Sequence, residues 1–431
     1  MQVAKPVMPD GQEAVTSADR ATAGIGSSSG GTDPRASRAQ AGRTDRPAVA
    51  GLIALLAALG FVLTRWQTWA HGNIGWFILA GHHFTVAAQL PHGIPIAPAY
   101  GYDGQFFYRL ALNPVNFHHT AYGIIMDRSY RYMRIGYPVV TWLLSAGQHA
   151  AVPVVLVAVN IAAIGAMGYL GAVYAQAGGR HALAGLLLPC YFGLLTSLSR
   201  DTAEPLAAAL LLAALLAVRA RRPVLAALLL AYGVLTRETV MVAVSAIALV
   251  RVIGMLRRRQ RPGRDDLAWV LPTVVFVAWQ AVVKAATGNI PLLADGGRNA
   301  GAPFIAPFQA LRNNLAHLNT HQLDQYDMWL LELAILVLFS IVALLSLRST
   351  SAPVQERVAL VLYLAEICIV TPSTWSSLDA DLRSFIEVYL LAVIILLGTG
   401  RRSAGARLLP GLAALTVPAL ILVSQRRFGG S

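Results

Sequence analysis

One short stretch, Gly101-Tyr102-Asp103-Gly104-Gln105-Phe106-Phe107-Tyr108-Arg109, sets a single carboxylate between glycines and aromatics. Hemmed in by Tyr102, Phe106, Phe107 and Tyr108, Asp103 is expected to be partly desolvated, which raises a carboxyl pKa and suits a general base. The flanking glycines would permit tight turns and close approach of a ligand. The plainer alternative is an aspartate that stabilises its own turn. Further on, Asp127, Arg128, Arg131 and Arg134 lead into Gly136-Tyr137-Pro138. Arginines three apart would share one face of a helix, and their planar donor forks match phosphate. The competing reading is an interfacial helix whose arginines snorkel to lipid headgroups.

Two corners repeat a hydroxyl–Arg–acid pattern, Ser199-Arg200-Asp201-Thr202 and Thr236-Arg237-Glu238-Thr239. Each opens an apolar segment that ends in arginines, and each acid suits the positive end of a helix. They read either as phosphate-facing edges or as ion pairs capping two helices.

Other signals are weaker. His317 and His321 are four apart but no Glu follows the first, so the zinc-protease pattern is absent and exposed loop histidines are the default. The pairs His82-His83 and His118-His119 say less still. Asp379-Ala380-Asp381 matches the acidic triplet with which soluble glycosyltransferases hold a metal and a nucleotide sugar, yet Arg383 stands close enough to pair with either acid. Glu366 falls inside an apolar run, where a structural hydrogen bond is the expected explanation. There is no Gly-rich nucleotide loop, Walker pattern or nucleophile elbow, which argues against an energised pump.

The elements that must position these groups are apolar. Of 431 residues 56% are hydrophobic and only 13% charged, against roughly 25% charged in soluble domains. The net charge of +13 sits mostly in short connections between apolar runs, as the positive-inside bias requires, so nucleic acid is a poor partner. Cys190 and Cys368 both lie in apolar runs and offer no disulfide framework. Residues 1–46 lack apolar periodicity and read as a disordered cytoplasmic tail. A transmembrane region follows over 47–424, then a tail at 425–431.

The expected fold is an all-α polytopic bundle of about eleven spans. They run Pro47–Thr64, Val152–Tyr174, Ala182–Leu198, Pro205–Val218, Val224–Leu235, Val240–Leu256, Leu267–Val283, Trp329–Leu347, Val358–Thr371, Phe385–Gly398 and Leu408–Val423. Threading from an inner N-terminus places the arginine-rich connections inside and the loops 65–137, 284–328 and 372–383 outside. Only Arg426-Arg427 disagrees. The first outer loop is expected to carry short interfacial helices. Polar residues thus gather on one face, where each is a functional candidate.

With Tyr130-Arg131-Tyr132-Met133-Arg134-Ile135-Gly136-Tyr137-Pro138 following Gly101–Arg109, the sequence resembles the GT-C superfamily of membrane glycosyltransferases. It looks nearest to bacterial relatives of the GPI mannosyltransferases and protein O-mannosyltransferases. That resemblance implies an active site outside a bacterial inner membrane, with Asp103 as catalytic acid residue. It implies a polyprenyl-phosphate-linked sugar as donor and a lipid, glycan or protein acceptor. Many members have two adjacent acids where Gly104 follows Asp103 here, so use of a divalent cation is left open. On this reading Asp103 takes a hydroxyl proton, and Arg128, Arg131, Arg134, Arg200 and Arg237 steady the leaving phosphate. Tyr102, Gln105, Tyr108, Asp201, Glu204 and Glu238 orient substrate or those arginines, and the 284–328 loop forms a lid. The rival readings are a transporter or flippase of a lipid-linked or anionic solute, which would show broken helices near the midplane, and a structural partner in envelope assembly.

Overall fold

The structure, a computed structural model, describes residues 45–98, 100–258, 261–294, 301–317, 323–371, 374–375, 382–400 and 402–425. The N-terminal tail to residue 44, His321, Asp379, Asp381, Arg426 and Arg427 lie outside the described residues.

Helices dominate, and among the described residues the only sheets are two pairs of two-residue strands in the first loop. Among the described residues six helices are long and apolar enough to cross a membrane: Pro47–Thr68, His149–Ala177, Val240–Arg257, Arg264–Thr287, Tyr326–Leu345 and Ala404–Gln425. A seventh span would be the pair Ala182–Cys190 and Phe192–Ser199, bent by 58° at Tyr191. The expected run Ala182–Leu198 is therefore broken, with a 3₁₀ first half that contains Pro189.

We label the helices α1 (Pro47–Thr68), α2 (Gly104–Leu112), α3 (Gly136–Leu144), α4 (Val152–Ala177), α5 (Phe192–Ser199), α6 (Glu204–Arg219), α7 (Pro223–Thr236) and α8 (Val240–Arg258). There follow α9 (Leu267–Thr287), α10 (Pro291–Ala294), α11 (Ile305–Ala316), α12 (Leu323–Leu345), α13 (Val354–Ile369), α14 (Ile386–Leu397) and α15 (Ala404–Gln425). Proline opens α1, α4, α6 and α7 within the first two positions, where its missing N–H costs nothing. Four runs expected as spans are short: α6 has 16 residues, α7 has 14, α13 has 16 and α14 has 12. At about 1.5 Å per residue, α14 reaches only ~18 Å, less than a bilayer core of about 30 Å.

What α14 lacks in length it makes up in burial. All twelve of its residues are buried, and it forms the centre of the main apolar cluster. The outer helices differ: Leu52, Leu56 and Leu63 of α1 and Leu345 of α12 are exposed, apolar faces that belong in lipid. Small residues seam α1 to α4, with Ala50 and Ala54 lying against Gly168, as helices in lipid pack when backbones come close.

The first loop builds its own core. Phe106, Phe107, Tyr108, Met126, Tyr132 and Tyr137 cluster beneath it. Ala80–Gly81 pairs in parallel with Ile96–Ala97, and Thr120–Ala121 pairs antiparallel with Ile124–Ile125. The loop is thus a folded cap whose α2 presents its N-terminal end to the ends of α5 and α6.

The two environments predict opposite sensitivities. Leu391→Ala removes a fully buried side chain of α14 and is expected to cost about 2–5 kcal/mol. Leu256→Ala, at a position 77% exposed, should leave stability within about 0.5 kcal/mol. Thermal unfolding of the two variants in detergent tests this, and equal losses would contradict a buried α14.

Candidate functional site

Five chain segments meet at one end of the bundle: the start of α2, the corner between α5 and α6, the corner between α7 and α8, residues 128–134, and residues 382–387. At the centre Asp103 is clasped by two arginines. Arg383 Nη2 donates to Oδ2 at 2.6 Å, and Arg131 Nη1 to Oδ1 at 3.4 Å. Arg383 also donates through Nη1 to Glu204 Oε1 at 2.9 Å. Arg131 donates through Nε to Asp127 at 2.5 Å and lies 3.5 Å over the Phe106 ring. Tyr102 supplies a shared aromatic face, with the guanidinium of Arg200 4.4 Å and that of Arg383 4.7 Å from its centroid.

A second group adjoins the first. Arg134 reaches Glu238 through Nε at 2.8 Å and Nη2 at 2.5 Å, and the Tyr130 hydroxyl donates to the same carboxylate at 2.7 Å. Arg237 Nη1 donates to Glu387 at 2.7 Å and its Nη2 to the Ser384 carbonyl at 3.0 Å, while Thr239 Oγ1 donates to Glu387 at 2.6 Å. Tyr130, Arg134, Arg237, Glu238, Thr239, Tyr363, Glu366, Phe385 and Glu387 line a cavity of about 270 Å³. Leu292 of α10 also lines it, so part of the 284–328 loop does lie against the site.

Electrostatics overturn one expectation. Burial pushes the Asp103 carboxyl up, but the charges of Arg383, Arg131 and Arg134 outweigh burial and hold it at about 2. Asp103 in this state is a clamped anion and a weak base, the reverse of a raised pKa. Glu238 is likewise held at about 2, burial being outweighed by Arg134 and by the hydrogen bonds from Arg134 and Tyr130.

Other expected roles change too. Close approach at the glycines is made by the chain itself. Gly101 has φ +64°, and a Cβ on Gly104 would stand 2.4 Å from the Arg200 carbonyl oxygen, which seats the loop on the α5–α6 corner. Gln105 is buried in holding that loop: its Oε1 accepts from Gly81 N at 3.0 Å and its Nε2 donates to the Tyr100 carbonyl at 3.0 Å. Tyr108 is buried in the loop core, away from the cluster.

Asp201, the acid of the first corner, is fully buried with φ 45° and no hydrogen-bond partner among the described residues. Burial drives its carboxyl well above the ordinary range, so it offers no anion to Arg200. The two corners are therefore unlike, since Glu238 is an ion-pair partner and Asp201 is not. The arginine stripe falls on a 3₁₀ turn at Ser129–Tyr132 rather than an α-helix, and its members diverge. Arg128 meets Asp127 at 3.3 Å, Arg131 meets Asp103, and Arg134 meets Glu238.

Glu366 has no hydrogen-bond or ion-pair partner among the described residues and faces the cavity, against the expectation of a structural hydrogen bond. His317 stacks on Tyr326, with centroids 4.8 Å apart, and Arg383, expected beside the Asp379–Asp381 triplet, pairs instead with Asp103 and Glu204. Among the described residues no three His, Cys, Asp or Glu side chains gather as a metal site. Arg383 and Glu387 are the residues the sequence did not single out as a site. The only signal was their charge next to an apolar run. No family model matches the chain, and no curated protein matches it either.

Because Asp103 and Glu238 are held near 2, below an ordinary carboxyl value of about 4, their contribution is complete above that value. It should vanish as pH falls from about 4 through about 2. Replacing Arg383 with Gln takes the arginine from buried Glu204 and one of two arginines from Asp103, and is expected to cost about 3–5 kcal/mol at neutral pH. Melting curves of wild type and Arg383→Gln from pH 7 down to about 2 test both points. An unchanged melting temperature for the variant at pH 7 would show that this ion pair does not organise the site.

Proposed function

We propose that the chain is an integral membrane glycosyltransferase that moves a sugar from a polyprenyl-phosphate donor to a hydroxyl of an acceptor, by inverting displacement. The observation that carries this reading is the clasp itself: one carboxylate held between guanidiniums that a phosphate could claim. On the same reading the site faces away from the cytoplasm of a bacterial inner membrane, and the bundle is GT-C-like with further short helices completing the spans.

A phosphate needs cations, and Arg131, Arg200 and Arg383 stand around Asp103 to provide them. An incoming donor phosphate would compete for Arg131 and Arg383. As those charges turn to the phosphate, burial regains its hold on Asp103, and its basicity rises when the donor is in place. Asp103 then accepts the acceptor O–H proton as the oxygen bonds to the anomeric carbon. The bond from that carbon to the phosphate oxygen breaks, and its electron pair leaves on the phosphate. Glu204 keeps Arg383 in position at 2.9 Å throughout.

The donor's tail also has a place. An apolar groove of about 910 Å³ runs between α3, α4 and α6, lined by Val140, Leu144, Val155, Ala158, Leu206 and Leu210 among others. Leu206, in the first turn of α6, lines this groove. The broken helix at Tyr191 favours the second reading, a transporter of a lipid-linked solute, since half-helices mark carrier sites.

Purified protein in liposomes, given polyprenyl-phosphate sugars labelled in the sugar together with envelope acceptors, separates the two. Wild type is expected to transfer label, and Asp103→Asn to be slower by about 10²–10⁴-fold. A mutant as fast as wild type removes Asp103 as the base. Movement of intact donor across the bilayer without transfer establishes the carrier.

A further inference from the structure

Most carboxylates at this end of the bundle are already committed. Asp103 and Glu204 share Arg383, Glu238 takes Arg134 and Tyr130, and Glu387 takes Arg237 and Thr239. Among the described residues Asp201 and Glu366 are the exceptions, and of the two only Glu366 faces the cavity. It lies half-buried on α13, lines the 270 Å³ cavity, and has neither an arginine nor a hydrogen-bond donor. A carboxyl group in such a place is costly unless something supplies hydrogen bonds to it.

The charge around Glu366 decides what that something is. Facing it across the cavity are Glu387 on α14, Arg237 and Glu238 at the α7–α8 corner, and Arg134 and Tyr130 from the first loop, with Tyr363 on its own helix. Both arginines are engaged by glutamates. With Glu366 ionised the cavity holds two arginines against three glutamates, and with Glu366 protonated the two charges balance. In neither state is there surplus positive charge for a phosphate or carboxylate. Hydrogen-bonding capacity remains in the Glu366 carboxyl and the Ser384 hydroxyl, while Thr239 and Tyr363, whose protons go to Glu387 and to the Thr239 carbonyl, keep acceptor lone pairs, and the rings of Tyr130 and Phe385 also line the space. The volume lies just below the roughly 300–1,000 Å³ of ordinary ligand sites, room for one small ring.

We propose that this cavity binds a neutral, hydroxyl-rich ring, a sugar or cyclic polyol, and that Glu366 anchors one of its hydroxyls. Resting on the glycosyl-transfer reading, this names the acceptor class: the acceptor's reacting end is an uncharged polyol, while the anionic donor is held at Asp103, Arg131 and Arg383. Glu366 is then a binding residue that fixes which hydroxyl turns toward the donor.

Two measurements test it. The first needs no activity. An apolar carbodiimide attacks protonated carboxyls, and arginine-held carboxylates resist it. Dicyclohexylcarbodiimide is expected to modify Glu366 ahead of Asp103, Glu204, Glu238 and Glu387 in the full chain, read by peptide mass spectrometry. Methyl α-mannoside or myo-inositol should slow that modification severalfold, and inorganic phosphate at equal concentration should not. Protection by phosphate alone, or no preference for Glu366, overturns the proposal.

The second measurement uses the transfer assay. Glu366→Gln is expected to raise the acceptor KM about tenfold, the loss of one hydrogen bond, with kcat reduced less. Glu366→Asp, which keeps the carboxyl, should fall between. Equal acceptor KM in all three proteins overturns the anchor role even though transfer proceeds. Absence of any transfer by wild type overturns the glycosyltransferase reading instead, and the protection experiment still decides whether the cavity takes a polyol.

Discussion

The Arg383 guanidinium joins three parts of the chain that would otherwise have no reason to meet. Through one nitrogen it holds Asp103, at the start of the first loop's helix, and through another it holds Glu204, at the start of α6. Its own backbone leads directly into α14, every residue of which is buried. Burying a guanidinium is expensive, and the cost is offset only when its hydrogen bonds are well made and opposite charge is near. Two carboxylates and the Tyr102 face meet that condition. The first loop is consequently docked on the bundle by charge as well as by its apolar core.

From that tie a chain of alternating charges extends, Asp127 to Arg131 to Asp103 to Arg383 to Glu204, with Arg134–Glu238 and Arg237–Glu387 beside it. Such alternation is self-satisfied. Any ligand that enters must bring charge or hydrogen bonds able to replace what it displaces. This explains how an aspartate in an aromatic setting comes to be held at about 2. The aromatics around it do desolvate it, as the sequence suggests, but they also carry the arginines, Arg131 on Phe106 and Arg200 on Tyr102. Desolvation strengthens the arginines' pull on the carboxylate along with its own penalty.

How much of this was legible in the sequence follows from the range of each interaction. Asp103, the arginines after it and the second Arg–acid corner are recognisable because residue type and local spacing mark them. Partners such as Arg383, 280 residues from Asp103, leave no local mark, since long-range pairing is set by how helices pack. Periodicity could find apolar runs but could not separate α14 from a span, because a helix wholly buried in protein and one in lipid are both apolar all round. The bend at Tyr191 and the inward turn of Asp201 were equally hidden. Each is a backbone event, a 3₁₀-to-α break and a left-handed residue, in sequences that read as continuous helix and as an ion-paired corner.

The site's two sides are chemically unlike, and this bears on which reading it suits. The groove along α3, α4 and α6 is lined almost wholly by apolar side chains, while the cavity under α10 and α13 sets charged groups among apolar ones, carries no surplus positive charge and shares no lining residue with the groove. A carrier moves one solute along one path, so its surfaces must all suit that solute. Two compartments of unlike lining suit two different molecules better than one. On the proposed reading, the clasp keeps Asp103 a weak base until an anion engages Arg131 and Arg383, so the donor would bind before the acceptor.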